Sequence, residues 1–130
     1  PYCSFKELDF CYYAKVSIEY ESESIRKIFN DYELMKREIG NDRTRATKKR
    51  IEQLKASVNF SVYLTTGLGK PHPLYENLKG YYGVTITGNV RLIIRPNAES
   101  TEPEVLKRCD TVIIKGVMDY HGSKNEWLIP

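Results

Sequence analysis

The sequence predicts an α+β fold in which an N-terminal strand and a helical hairpin precede a mostly antiparallel, twisted sheet that carries the helices on one face. Three observations predict it: strand-like alternation near the N-terminus, helical periodicity in the segment that follows, and three further strand-like segments in the second half. A length of 130 residues supports one hydrophobic core rather than two. We therefore expect a single domain over residues 1–130.

The first elements are a strand and a long helix. Apolar and polar residues alternate with a period of two over Tyr12–Tyr20, which indicates a half-buried strand. The apolar residues of Ile25–Ile39 then fall on one helical face. Ser22 or Ser24 can cap the start of this helix, and Gly40 suits its end.

A second helix is expected to follow at once and to form an antiparallel hairpin with the first. Asp42 can cap it, and Ile51, Leu54 and Val58 form a narrow apolar stripe beneath a very polar surface. Between residues 60 and 73 the periodicity weakens, and glycines and prolines are frequent. We predict a connecting loop without regular structure there.

The rest of the sheet lies in the second half of the chain. Gly88 and Asn89 mark a hairpin between the first two of its strands. Residues 97–109 are polar and predict a surface insertion, with one short helical turn capped at Thr101. The three strands are predicted at Tyr81–Thr87, Val90–Arg95 and Thr111 to about Tyr120.

The register of the hairpin determines which side chains share a face. A loop of only two residues would put the apolar residues of the two strands on opposite faces. A three-residue loop, Thr87-Gly88-Asn89 with a left-handed Gly88 or Asn89, brings them together against the helices. The apolar residues so aligned are Val84, Ile86, Val90, Leu92 and Ile94.

The same register gives the sheet a second, polar face. Arg91 and Arg95 join Thr85 there. Strict alternation in the last strand predicts that Val112, Ile114 and Met118 form its apolar side and that Tyr120 lies opposite Asp119. Alternation assigns three residues of this strand to the polar face: Lys115, Asp119 and His121.

Composition restricts the class of protein. The hydrophobic content of 41% and the charged content of 28% are those of a globular domain, while a net charge of +3 is too small to identify a polyanionic partner. No apolar run reaches the roughly 20 residues that span a bilayer, and no signal-like start is present, so we expect a cytoplasmic protein without a membrane partner. Cys3, Cys11 and Cys109 are interpreted as free thiols.

Two histidines are the best candidates for proton transfer, because the unperturbed pKa of histidine is about 6.5. They are His72, within Lys70-Pro71-His72-Pro73, and His121, two residues after Asp119. No third histidine or spaced cysteine completes a metal site, so no metal is expected. Neither a nucleophile elbow nor a phosphate loop is present, and no cofactor is predicted.

Nucleic-acid binding has two candidate features. A compact basic block at the start of the second helix can follow phosphates, or it can be a solvated helix face. Tyr81 and Tyr82 are candidates for stacking on bases, whereas most of the ten tyrosines are expected to pack in the core or at its rim. The block consists of Arg43, Arg45, Lys48, Lys49 and Arg50.

Four motifs in order resemble the RelE/ParE superfamily of bacterial toxins, and most closely its HigB-like branch. The resemblance covers residues 16–121 and leaves out the insertion at 97–109 and the tail around Trp127. The motifs are His72-Pro73-Leu74, Leu78-Lys79-Gly80-Tyr81-Tyr82, Gly88-Asn89-Val90-Arg91-Leu92-Ile93 and Gly116-Val117-Met118-Asp119-Tyr120-His121.

The resemblance implies a RelE-like fold and a toxin that cuts mRNA, usually on the translating ribosome, until a cognate antitoxin binds it. We expect this antitoxin to be a helix-turn-helix protein. Arg95 and Lys115, together with the basic block and the two tyrosines, are expected to bind RNA or the ribosome. The residues that the resemblance places around the scissile phosphate are His72, Lys79, Arg91, Asp119, Tyr120 and His121.

The leading hypothesis from the residues is cleavage by the substrate's own 2′-hydroxyl, without a metal. Arg91 would hold the phosphate, His72 and His121 would transfer protons, and Asp119 would orient His121. One alternative is a ParE-like toxin that poisons DNA gyrase. Another is a nuclease-inactive module that binds only an antitoxin or nucleic acid.

Overall fold

A computed structural model describes residues 15–121 and 124–130, and for His121 it describes the backbone alone. The first half contains strand β1 and four helices, and the second half contains the other five strands. The helices are α1 (Glu23–Phe29), α2 (Tyr32–Ile39), α3 (Asn41–Lys55), α4 (Phe60–Thr66) and α5 (Pro103–Leu106). The strands are β1 (Ser17–Tyr20), β2 (His72–Pro73), β3 (Tyr82–Thr87), β4 (Val90–Pro96), β5 (Thr111–His121) and β6 (Lys124–Ile129).

One mixed sheet organises the molecule, with the strand order β1-β5-β4-β3-β2. β1 runs parallel to the first part of β5, and every other pairing is antiparallel. One side of β5 pairs with β4. On its other side, β1 pairs with the first part of β5, and β6 pairs with the last part, from Val117 to His121. The predicted α+β architecture is confirmed. The part of β1 predicted at residues 12–14 lies outside the described residues.

The predicted first helix is in fact two helices. The Ser22 hydroxyl caps α1 by accepting from the backbone N–H of Ile25 at 3.3 Å, as expected. Asp31 then caps α2 by accepting from the N–H of Leu34 at 3.1 Å. An aspartate that bonds the backbone ahead of it favours a new helix start over continuation of the old helix. Gly40 ends α2 as predicted.

The helix predicted as the second, α3, begins two residues earlier than expected. Gly40 is its N-cap, and Asp42 lies inside the first turn, where its carboxylate accepts from Arg45 at 2.7 Å instead of capping the helix. Ile51 and Leu54 are buried as expected. Val58 lies beyond the helix end and is 49% exposed, so its place in the apolar stripe was wrong.

The segment predicted as an irregular loop contains a helix and a short strand. Asn59 caps α4 by accepting from the N–H of Val62 at 2.9 Å. Phe60 and Tyr63 are completely buried, and the Tyr63 hydroxyl donates to the carbonyl of Leu68 at 2.9 Å. Burial raises the pKa of Tyr63 to about 12. The helix is too short to be stable alone, so its buried aromatic residues and its cap stabilise it.

The hairpin of β3 and β4 brings the predicted residues onto each face of the sheet, but it does so through a β-bulge and not through a three-residue loop. Val84 pairs with Leu92 and Thr85 with Arg91, as expected. The extra residue is Ile86, in a bulge, so that Thr87 pairs with Val90 across a two-residue turn. Gly88 in this turn has the left-handed φ of +48°. The extra residue in the bulge shifts the register of β3 by one, which is the effect that the sequence predicted for a three-residue loop.

A second bulge, in β5, overturns the predicted alternation of that strand. Ile93 pairs with Gly116 but Ile94 pairs with Ile114, which leaves Lys115 as the extra residue. After Lys115, the side chains up to Tyr120 therefore lie on the sheet face opposite to the one that strict alternation predicts. Met118 pairs with Arg91 on the side away from the helices, and was wrongly predicted to share a face with Ile114.

The core lies between the helices and one face of the sheet. Phe29, Met35, Leu54, Phe60 and Tyr63 pack there against the inward side chains of the strands. The strand residues in this cluster include Val84, Leu92, Ile94, Val112, Ile114 and Val117. We call this the helix face of the sheet.

The segment at 97–109 contains the predicted helical turn as α5, but its N-cap is Glu102, which forms no side-chain capping bond, so the predicted cap at Thr101 was wrong. Leu106 of α5 is buried in the core together with the free thiol residue Cys109. Burial raises the pKa of the Cys109 thiol. Cys3 and Cys11 lie outside the described residues. None of the described helices has the length and apolar character required to cross a membrane.

Candidate nucleic-acid interface

The candidate site lies on the sheet face opposite the helices, which we call the arginine face because it carries Arg91 and Arg95. Cross-strand partners point to the same side of a sheet, so register identifies the residues that share this face. Arg91 is flanked by Thr85 on β3 and by Met118 on β5, and Arg95 is flanked by Ile113 on β5. The face is therefore a cationic surface with an apolar floor.

Arg91 is held by the turn that precedes it. Its Nη1 donates to the carbonyls of Gly88 at 2.7 Å and Val90 at 3.2 Å, and its guanidinium carbon lies 5.6 Å from the centre of the Tyr120 ring. Its Nε is buried without a hydrogen-bond partner, and among residues 15–121 and 124–130 no carboxylate forms an ion pair with it. A fixed guanidinium without an acidic partner is suited to bind an oxyanion.

Tyr120 lies on the arginine face, in contact with Arg91. Burial raises the pKa of its hydroxyl, an effect that the positive charge of Arg91 partly opposes. Tyr120 is consequently a neutral phenol at physiological pH, able to donate a hydrogen bond beside the guanidinium. Strict alternation had placed it on the face away from Arg91. That prediction was wrong because of the bulge at Lys115.

Asp119 lies on the helix face, contrary to the prediction that it would share a face with Lys115. It pairs with Val90, is 7% exposed, and its Oδ2 lies 4.0 Å from Nη2 of Arg43 on α3. The carboxylate thus links the end of β5 to a helix. The backbone of His121 ends β5 and pairs with Lys124, while its side chain lies outside the described part of the structure.

His72 reaches the arginine face from the edge strand β2. It pairs with Gly83, and a Cβ on Gly83 would lie 3.6 Å from both Cε1 and Nε2 of His72, so the imidazole packs directly over the glycine. Its Nδ1 lies 3.2 Å from the carbonyl of Lys70. That hydrogen bond requires the proton on Nδ1, which leaves Nε2 of the neutral ring as the proton acceptor.

Lys79 is separated from this group. It is exposed and follows the 3-10 turn Glu76–Leu78, with its backbone N–H donating to the carbonyl of Glu76 at 3.1 Å. Within the described residues its side chain forms no hydrogen bond or ion pair with His72, Arg91 or Tyr120. Its predicted role rests on the resemblance alone.

The basic block of α3 divides into two parts. Arg43 contacts Asp119, Arg45 is paired with Asp42, and Lys48 donates to the carbonyl of Phe29 at 2.8 Å. Burial lowers the pKa of Lys48. Each cation of the first part therefore already has a partner within the protein. Lys49 and Arg50 form the second part and approach the arginine face.

A basic cleft joins α3 to Arg91. It has a volume of about 550 Å³, and its lining includes the cations Lys49, Arg50, Lys70 and Arg91 but no carboxylate. Arg50 is fixed there, since its Nε donates to the carbonyl of Thr85 at 2.8 Å and its Nη1 to Gln53 at 2.8 Å. Lys70 was not predicted as a site residue. Its position next to His72 was the available signal.

The two tyrosines predicted to stack on bases have different environments. Tyr82 is 6% exposed and packs edge-on against Phe60 at 5.1 Å between ring centres, so it belongs to the core and the prediction was wrong for it. Burial raises the pKa of Tyr82. Tyr81 is half-buried, and the guanidinium of Arg95 and the ammonium of Lys115 lie 5.9 and 5.5 Å from its ring centre.

Arg95 and Lys115 differ from Arg91 because they have an acidic partner. The Glu21 carboxylate lies 3.5 Å from Nε of Arg95 and 3.6 Å from Nζ of Lys115, and it accepts from the Tyr81 hydroxyl at 3.1 Å. Lys115 also lies 5.5 Å from the ring centre of Trp127, which sequence reasoning had left outside the site. In the described parts of the chain, no cluster of three metal-ligating side chains occurs.

This architecture is the RelE-like α+β fold that the sequence predicted. A chain of the YoeB–YefM complex from Staphylococcus aureus superposes with a TM-score of 0.50 at 19% identity, over 82% of this chain and 98% of that chain. A heterotetrameric YoeB–YefM toxin–antitoxin complex from the same organism gives the same values. A YoeB/ParE toxin from Agrobacterium tumefaciens gives 0.49 at 17% identity, over 82% and 100%. No family model and no curated protein matches the sequence.

Proposed function

We propose that this protein is the toxin of a toxin–antitoxin pair and that it cleaves mRNA through the 2′-hydroxyl of the substrate. The observation that carries the proposal is the state of Arg91. Its guanidinium is fixed by two carbonyls, has no carboxylate partner within the described structure, and lines a cleft with three other cations. Such a site is built for a phosphodiester.

The phosphate would be bound by Arg91 and Tyr120 together. The guanidinium can donate to two phosphate oxygens, and the neutral Tyr120 hydroxyl beside it can donate to a third position. Positive charge placed where negative charge develops stabilises the transition state most when the donors are already fixed. The carbonyls of Gly88 and Val90 provide that fixation for Arg91.

The reaction itself needs no nucleophile from the protein. The 2′-oxygen attacks phosphorus as its proton leaves to a base, the bond from phosphorus to the 5′-oxygen breaks, and that oxygen takes a proton from an acid. The products are a 2′,3′-cyclic phosphate and a 5′-hydroxyl. His72 presents Nε2 as one proton-transfer group, and His121, next to Tyr120 in the sequence, is proposed as the other.

Other residues near the site have different proposed roles. Lys49, Arg50 and Lys70 would follow the phosphates of the RNA or of the ribosome away from Arg91 through the basic cleft. Asp119 is proposed to act by positioning, because it holds the end of β5 to Arg43 instead of facing Arg91. Lys79 and the HigB-like branch are proposed on the sequence motifs alone.

The similarity to YoeB in complexes with YefM supports a cognate antitoxin as the partner. We propose that this antitoxin is a helix-turn-helix protein, that mRNA is cut on the ribosome, and that the toxin acts in the cytoplasm. Coexpression of the protein with the product of an adjacent small reading frame tests the first point. Rescue of growth together with copurification supports it, and unchanged growth arrest contradicts it.

The proposed activity is tested by mapping transcript ends after brief induction. The wild-type protein should create new 5′-hydroxyl ends within coding regions and stop growth. Arg91→Ala should reduce these ends about 100-fold or more, as expected when a fixed oxyanion donor is removed. Arg108→Ala is the matched control, since Arg108 is an exposed arginine of the 97–109 insertion. Growth arrest with DNA breaks and intact transcripts would instead identify a gyrase-poisoning toxin.

A further inference from the structure

Trp127 lies beside the proposed phosphate site. The residue is on β6, where it pairs with Met118 of β5, and Met118 in turn pairs with Arg91 of β4. The three residues form one row across the arginine face. Adjacent strands are about 4.8 Å apart, so the backbones of Trp127 and Arg91 are separated by about 10 Å. A nucleoside attached to a phosphate at Arg91 can span this distance.

Two aromatic rings flank one ammonium group next to this row. Nζ of Lys115 lies 5.5 Å from the ring centre of Trp127 and 5.5 Å from that of Tyr81. Both distances are within the range of a cation–π contact. Because Lys115 is the extra residue of the β5 bulge, the bulge aims this side chain between the two rings. The cluster therefore depends on a local feature of the strand and not on regular alternation.

The cluster differs from core packing in its exposure and charge. Trp127 and Tyr81 are only partly buried, whereas the core aromatics Phe29, Phe60 and Tyr63 are at most 1% exposed. Arg95 and Lys115 outweigh the single partner Glu21, which gives the group a net charge of +1. Aromatic faces beside a surplus cation bind unpaired nucleobases, whose π-systems stack on the rings while the attached phosphates are attracted to the charge.

We infer that Trp127, Tyr81 and Lys115 form a base-binding subsite that receives one unpaired nucleobase adjacent to the phosphate held by Arg91. The inference rests on the proposed RNA cleavage, and it adds residues that select and position the substrate. Trp127 provides the stacking surface. Lys115 fixes the two rings and supplies N–H donors to the edge of the base, while Glu21 keeps Lys115 and Tyr81 in place.

The experiment uses Trp127 as its own reporter, because it is the single tryptophan of the chain. Wild-type protein is titrated with a short oligonucleotide made uncleavable by 2′-O-methyl groups, and with a set in which one nucleotide at a time is abasic. Stacking should quench the fluorescence of Trp127. One abasic position should abolish the quench and weaken binding by roughly 5- to 150-fold, the range expected for one stacked base.

Cleavage by variants completes the test and separates this inference from the proposed function. Trp127→Ala should lower kcat/KM for mRNA cleavage by a similar factor, whereas Trp127→Phe, which keeps an aromatic face, should retain most of it. If wild-type protein cleaves RNA but shows no quench and is unaffected by Trp127→Ala, the subsite is wrong and the function stands. If the oligonucleotide quenches Trp127 but no RNA is cut, the nuclease proposal fails and the subsite stands. Absence of both binding and cleavage overturns both.

Discussion

The substitution Gly116→Ala tests the bulge in β5. Because of this bulge, Tyr120 and not Asp119 lies on the same sheet face as Arg91. A Cβ at this position would lie 1.9 Å from the carbonyl oxygen of Ile129 and 3.0 Å from its carbonyl carbon. Those atoms are backbone of the paired strand β6, so they cannot move aside as a flexible side chain would. Gly116 also has a φ of +156°, in the region that favours glycine. The substitution therefore combines a steric and a conformational penalty.

Gly116→Ala should lower the free energy of unfolding by about 2–5 kcal/mol. Of this, about 1–2 kcal/mol comes from placing a Cβ in an unfavourable backbone conformation, and about 1–3 kcal/mol from overpacking against β6. The matched control is Gly67→Ala, because Gly67 has a φ of +69° but no atom within 4 Å of the added Cβ. It should lose only the conformational part.

Urea unfolding of the two variants, followed by circular dichroism, gives both free energies. Gly116→Ala should also weaken the pairing of β5 with β6 and thereby displace Trp127, which pairs with Met118. Its tryptophan fluorescence in the folded state should change, while that of Gly67→Ala should match the wild-type protein. If Gly116→Ala costs no more than Gly67→Ala, the described bulge is wrong and the assignment of faces in β5 falls with it.

Three further changes test other contacts. Thr47→Val should raise the free energy of unfolding by about 1 kcal/mol, because the buried Thr47 Oγ1 has no hydrogen-bond partner in the described structure; a loss in urea unfolding would contradict this. Because the pKa of Tyr63 is raised from 10.0 to about 12, the free energy of unfolding should be unaffected by this group below pH 10 and should fall as the pH rises from 10 to 12. Tyr63→Phe should be less stable at pH 7 by about 1 kcal/mol but lose less over that window, and parallel pH curves would refute it. Asp119→Ala should lower the free energy of unfolding by about 1 kcal/mol, because it removes the contact of the buried carboxylate with the partly exposed Arg43, whereas the exposed strand partner Glu126→Ala should change it by less than about 0.5 kcal/mol; equal effects on stability would show that Asp119 has no positioning role.

The strands of the central hairpin were predictable because their residues alternate cleanly and a glycine marks the turn. Val84 and Leu92 were correctly placed on one face, and Thr85 opposite Arg91 on the other. The sequence also indicates the helix break at Asp31, because an aspartate, which favours helix starts, lies within a segment with helical spacing of apolar residues. The apolar periodicity continues through Asp31, but the capping bond from its side chain to the N–H of Leu34 starts a new helix there.

The β5 bulge and helix α4 could not be read from local patterns. A glycine within a strand does not by itself predict a bulge. Gly116 is required because β6 brings the Ile129 carbonyl to the place that a Cβ would occupy. Helix α4 has only seven residues, too few to show a clear period, and it is stable because Phe60 and Tyr63 enter a core formed by distant segments. Tertiary contacts decide both features.

Hairpin register made the position of Arg91 predictable, since Arg91 pairs with Thr85 as expected. Its role in a site stays a prediction. Asp119 and Tyr120 exchanged faces because an error of one residue reverses every later side chain in a strand. Trp127 had no signal of its own, since its contact with Lys115 requires both the bulge and β6.

The central claim is that RNA is cut by its own 2′-hydroxyl at a phosphate held by Arg91. The direct measurement uses purified protein and programmed ribosomes carrying an mRNA with a single 2′-deoxynucleotide immediately 5′ to a mapped cleavage site. This mechanism predicts cleavage of the unmodified mRNA, with cyclic-phosphate and 5′-hydroxyl ends, and no cleavage at the deoxy position. Equal cleavage of both mRNAs would contradict it.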